Sequence, residues 1–148
     1  MPRAASDDAA TPDRVPAASG ERDRPLRPPD PRRGLGALGE RLAAEHLERR
    51  GFVIVERNHR TARGEIDLIA HDGRTLVFVE VKTRRAGSGP PLESVGPRKQ
   101  RRVRRLAAQW LSETASRPRF RELRLDAIGV VVDSDGRLKS LEHLEGAM

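Results

Sequence analysis

The stretch "VFVEVKTRR" at residues 77–85 reads as the interior of a strand that ends in charge. Side chains alternate along a strand, so Leu76, Phe78, Glu80 and Lys82 share one side while Val77, Val79 and Val81 share the other. Both sides are apolar until Glu80, and an unpaired ion buried there would be expensive. The pair must therefore stand at a sheet end, meet a partner, or hold something charged. Upstream, Asp67 closes "GEID" on a second strand-like run, and the turn "HDGR" folds the two runs against each other. Twelve residues separate Asp67 from Glu80, which lets both carboxylates reach the same end of neighbouring strands. Carboxylate oxygens suit hard cations such as Mg²⁺ or Mn²⁺, which are often shared with phosphate. Lys82, on the same face as Glu80, is placed to orient or activate a water and to offset charge developing at phosphorus. The competing reading of Glu80 and Lys82 is an ordinary ion pair on a solvated strand face.

Two helices complete the arrangement. "GLGALGERLAAEHLERRG" reads as a helix from Gly34, with Leu35, Leu38, Leu42, Ala43 and Leu47 as its apolar stripe and Gly51 as its C-terminal cap. Glu40 lies about 20° around that helix from Leu47, at the flank of the stripe, and so points toward the sheet. The second helix begins at Pro97, a favoured first position, and carries Val103, Leu106, Ala107, Trp110 and Leu111 on one face. Gln100 extends that face by one turn. Glu65 shares the parity of Asp67 and is either a supporting group or exposed.

The strand-like runs are 52–58, 64–73 and 74–85, followed by the second helix and two further strands joined at "DSDG". The order helix, three strands, helix, two strands predicts an α/β fold, a mixed sheet flanked by two helices, with residues 76–81 as a central strand covered on both faces. Residues 1–33 hold seven of the eleven prolines and almost no large apolar side chain, so they read as a disordered tail ahead of a single domain over 34–148.

Composition narrows the function classes. There is no cysteine, which excludes disulfides and cysteine-held zinc, and the four histidines lack helical metal-site spacing. No apolar run approaches the roughly 20 residues of a membrane span, and Asp7 and Asp8 stand where a signal peptide would be apolar, so the expectation is a cytoplasmic protein with no membrane partner. The net charge of +7 favours an anionic partner. Only Lys82, Lys99 and Lys139 are lysines, so most of the 29 basic residues are arginines, and part of that bias is compositional. Its distribution is more telling. Arg98, Lys99, Arg101, Arg102, Arg104 and Arg105 crowd the first turns of the second helix, where cations oppose the helix dipole and one another. Either this is a solubilising face, or phosphates relieve it, with Arg84 and Arg85 beyond the third strand adding to the same surface. With three Phe, one Trp and no Tyr, base stacking is minor, and recognition follows backbone and shape.

Glu40, "GEID" with Asp67, "VEVK" with Glu80 and Lys82, and "RKQ" with Lys99 and Gln100 together resemble the PD-(D/E)xK nuclease superfamily, and within it the YraN-like uncharacterised bacterial family, which is similar to archaeal Holliday-junction resolvases. The resemblance covers residues 34–148. It implies a restriction-endonuclease-like core with Asp67, Glu80 and Glu40 around Mg²⁺ or Mn²⁺, Lys82 as the catalytic lysine, and Glu40 and Gln100 as supporting groups. Ile66 stands where the superfamily's name has proline, as is common in this family. The expected activity is metal-dependent endonucleolytic cleavage of DNA, branched or structured, by a protein that similarity to resolvases makes a two-fold homodimer. The alternative is a nucleic-acid-binding module with a nuclease-like fold that does not cut.

Overall fold

The computed structural model describes residues 31–148. Helix α1 (Pro31–Arg49) is followed by strands β1 (Val53–Thr61), β2 (Gly64–His71) and β3 (Thr75–Arg85), a short 3₁₀ turn (Pro91–Ser94), helix α2 (Pro97–Glu113), and strands β4 (Glu122–Val132) and β5 (Leu138–Leu144). The expected element order is the observed one. The helix starts at Pro31 and not at Gly34, inside the segment expected to be tail, because a proline in a first turn forfeits only an N–H that has no helical partner anyway. The rest of the expected tail lies outside the described residues. Strand β1 also runs three residues beyond its expected end, because Thr61 pairs with Gly64 across a two-residue turn.

The five strands lie in the order β1-β2-β3-β4-β5. Neighbours are antiparallel except β3 and β4, which are parallel and joined through α2. Strand β3 is central, and its residues Thr75 to Glu80 are all buried. Its two faces serve two cores. Val77 and Val79 pack with Ala43, Ala44 and Leu47 of α1, whereas Leu76 and Phe78 pack with Leu106, Ala107 and Trp110 of α2. Phe78 meets Trp110 edge to face with centroids 5.5 Å apart. The sheet is thus sandwiched between one helix on each face, which explains why the 76–81 run is apolar on both sides.

Two glycines fix α1 on the sheet. Gly51, at φ 90°, ends the helix in a Schellman arrangement, with Gly51 N–H donating to the Glu48 carbonyl and Phe52 N–H to the Leu47 carbonyl, both at 3.0 Å. Phe52 and Leu47 then share the core that this turn closes. At Gly39 a Cβ would collide with the Thr83 side chain of β3. Only a glycine lets the helix backbone come that close, and this contact sets the position of Glu40, the next residue.

Candidate active site

Strands β2 and β3 pair from His71↔Leu76 to Leu68↔Val79, and the ladder then stops one rung before Asp67 and Glu80. At that point the Val81 N–H donates to Asp67 Oδ2 at 2.7 Å, so a side chain has taken an acceptor's place in the ladder. Strand β1 is irregular at the same level. In the β1–β2 register Asn58 falls opposite Asp67, and its φ is 51°, a left-handed conformation that asparagine tolerates better than most residues. Its side-chain amide reaches the Glu40 carboxylate and favours the charged form. The opened strand ends and the seating of α1 at Gly39 together bring acidic groups from three elements to one place.

Glu40, Glu65 and Asp67 each present a carboxylate oxygen within 4.8 Å of the other two. Burial pushes the Asp67 carboxyl up to about 7, and the charges of Glu80, Glu40 and Glu65 add to the rise against the opposing Val81 N–H. Burial raises Glu40 as well, aided by Glu65 and countered by Asn58 and Arg60. Arg60 Nε lies 3.4 Å from Glu65 Oε2. A crowded, partly desolvated, all-oxygen donor set of this kind fits a hard divalent cation, whose charge would relieve the repulsion.

Glu80 is buried and faces cations. Its Oε1 lies 3.1 Å from Lys99 Nζ and 4.0 Å from Lys82 Nζ. Burial lowers the Lys82 pKa, and the neighbouring Lys99 lowers it further, while Glu80 and Asp67 oppose the shift. Glu40, Asp67, Glu80 and Lys82 therefore gather at one sheet end, with two differences of detail. The carboxylates that converge are Glu40, Glu65 and Asp67, with Glu80 turned to Lys99. Lys99, expected on an exposed phosphate-binding face, has a side chain only 17% exposed because α2 packs its first turn over β3. Gln100 follows it, half-buried, its backbone N–H donating to the Gly96 carbonyl.

Arg98, Lys99, Arg101, Arg102 and Arg105 line a groove of about 1230 Å³ beside α2, to which Arg63 at the β1–β2 turn contributes from the far side. Arg104 is exposed but lies outside that lining, as do Arg84 and Arg85 at the end of β3. Sequence reasoning missed Arg63, though a basic residue at a hairpin tip next to a basic helix is a readable signal. It also missed Asn58, for which the only hint is that asparagine is a left-handed residue by preference. A third omission is structural. Asp126, fully buried on β4, accepts two bonds from Arg124, one from the Gly146 N–H, and stands 2.7 Å from His143 Nε2, whose Nδ1 is 3.0 Å from His46 Nε2. Burial alone would raise Asp126, yet these partners hold its carboxyl below the usual carboxylate range.

A five-stranded mixed sheet between two helices, with acidic residues and a lysine at the opened end of its central strands, is the restriction-endonuclease-like architecture. The family model described as "Uncharacterised protein family UPF0102" matches residues 39–130, a span that includes Glu40, Glu65, Asp67, Glu80, Lys82, Lys99 and Gln100. Relatives named "UPF0102 protein" include one from Beutenbergia cavernae, 49% identical over 113 residues, covering 76% of this chain and 93% of the relative. Another from Pelotomaculum thermopropionicum is 46% identical over 122 residues, or 80% of this chain and 98% of the relative. A third, from Dictyoglomus thermophilum, is 38% identical over 114 residues, covering 76% and 95%. The chain belongs to the UPF0102 family, the YraN-like family of the PD-(D/E)xK superfamily. No helix among the described residues is long and apolar enough to cross a membrane.

Proposed function

We propose that the protein is a metal-dependent endonuclease that hydrolyses phosphodiester bonds in DNA, with branched or structured DNA as the preferred substrate and a two-fold homodimer as the form that engages it. The observation that carries this reading is the opened end of β2 and β3, where Asp67 and Glu80 stand on facing strands with Lys82 beside them and Glu40 and Glu65 drawn in. Glu40, Glu65 and Asp67 would hold Mg²⁺ or Mn²⁺, with Glu80 adjacent. Bound there, the cation supplies Lewis acidity toward a phosphate oxygen. The chain's own residues do the rest. Arg63, Arg98, Arg101, Arg102 and Arg105 hold the backbone without reading bases. Lys82, partly shielded from bulk water, offsets charge gathering at phosphorus, where a fixed cation is worth more than in solvent. Asn58 favours the charged form of Glu40, and Gln100 sits half-buried next to Lys99 in the first turn of α2.

A second reading, a nucleic-acid-binding module that does not cut, is favoured by the Lys99–Glu80 ion pair, which engages one acidic residue without any metal. A screen of linear, nicked, flapped and four-way DNA with Mg²⁺, Mn²⁺ or EDTA separates the two. The nuclease reading expects cleavage that needs the cation; tight binding of four-way DNA with no cleavage under any condition would favour the module.

A further inference from the structure

Lys99 belongs to two environments at once. It is one of the groove-lining cations, and its ammonium is the nearer of the two that face the Glu80 carboxylate. Lys82 lies 4.0 Å from the same oxygen, so Glu80 keeps a cationic neighbour if Lys99 leaves. The groove, meanwhile, concentrates positive charge on the first turns of a helix, the end at which the dipole disfavours cations. With no phosphate nearby, Glu80 is the anion that relieves Lys99. Once a phosphodiester enters, Lys99 has a second partner on its solvent side, among arginines that draw the same anion in.

We propose that Lys99 is a substrate-released latch on Glu80. In the free protein it pairs with that carboxylate and keeps it out of the cluster that Glu40, Glu65 and Asp67 form, although Glu80 already neighbours Asp67 across the two strands. A phosphate backbone in the groove draws Lys99 off, and Glu80 then joins the other three carboxylates. Cation binding and nucleic-acid binding are thereby coupled, each strengthening the other. The inference rests on the metal-dependent reading above and specifies its regulation: the site is complete only when its substrate is present, which guards against cleavage or metal capture by the idle protein.

The test is Mn²⁺ binding, read by the paramagnetic signal of the free ion, for wild type, Lys99→Met, Glu80→Gln and the double variant, each without DNA. Removing a positive charge near any cation site tightens binding somewhat by simple electrostatics, and the Glu80→Gln background removes that ambiguity. Lys99→Met is expected to tighten Mn²⁺ binding about fivefold or more when Glu80 is present, within the usual range of coupling between sites. In the Glu80→Gln background the gain should shrink to the smaller electrostatic part. Adding a short DNA duplex, with the ion bound by DNA alone subtracted, should tighten Mn²⁺ binding to wild type by a larger factor than to Lys99→Met. An equal gain with and without Glu80 would overturn the latch while leaving the metal site intact. Absence of Mn²⁺ binding in all four proteins would overturn the metal-dependent reading and the latch with it. Should Lys99→Met unfold, Lys99→Gln serves the same comparison.

Discussion

The Asp67 carboxyl makes the cost of an empty site measurable. Its pKa rises from 3.8 to about 7 on folding, chiefly through burial. A carboxyl raised in the folded state destabilises the fold once it ionises, so the sign is opposite to that of a salt-bridged aspartate. Below about pH 3.8 both states are protonated and there is no penalty; between that value and 7 the unfolded chain alone ionises and stability falls; above 7 the penalty is complete. A rise from 3.8 to about 7 corresponds to a full penalty of about 4 kcal/mol, of which about 2–3 kcal/mol develops between pH 5 and pH 8. Asp67→Asn keeps an acceptor for the Val81 N–H and removes the charge. In EDTA, urea unfolding should show the variant gaining on wild type by about that 2–3 kcal/mol as pH rises from 5 to 8. Mg²⁺ should then restore wild type and leave the variant unchanged. If the difference between the two proteins is flat with pH, or wild type becomes the more stable at pH 8, the carboxylate is not strained by its neighbours and the argument for a cation site loses its electrostatic basis.

Three further outcomes follow from the geometry. Changing Arg101, Arg102 and Arg105 to Gln should lower the salt-dependence slope of DNA binding by roughly 0.9 per lost phosphate contact, whereas Arg104→Gln alone, outside the groove lining, should leave it nearly unchanged; filter binding across a salt series checks both. Gly39→Ala drives a methyl into the Thr83 hydroxyl and should cost about 1–3 kcal/mol by overpacking, with Thr83→Ala recovering part of it in thermal melts. Asp126→Ala leaves Arg124 and His143 without their buried acceptor and should cost about 3–5 kcal/mol in urea unfolding without altering Mn²⁺ affinity.

Local signals carried the architecture. The doubly apolar run 76–81 can only be a covered central strand, Gly51 stops a helix whose stripe has ended, and Trp110 falls on the face of α2 that packs on Phe78. Alternation likewise placed Asp67 and Glu80 at one sheet end. What the sequence withheld depends on departures from ideal geometry or on distant partners. Glu65 shares a face with Asp67 by simple alternation, but whether it is exposed or joins the cluster depends on where α1 brings Glu40, which alternation along β2 does not report. Lys99 sits in a run of arginines whose helical pattern reads as solvated, and only the packing of α2 on β3 turns it to Glu80. Asp126 is a lone acid in an apolar strand; its partners His143 and Gly146 are on or beyond β5, and His46 is on α1, so no window of local sequence contains the network.

The central claim is that the opened end of β2 and β3 cleaves DNA, and the single-turnover cleavage rate of the preferred DNA in Mg²⁺ tests it most directly, compared among wild type, Asp67→Ala and Lys82→Ala. A site that acts through these groups predicts that each variant falls by at least about 100-fold, the scale of losing one fixed electrostatic group in a desolvated site. Cleavage by both variants at the wild-type rate would place the activity elsewhere and contradict the account.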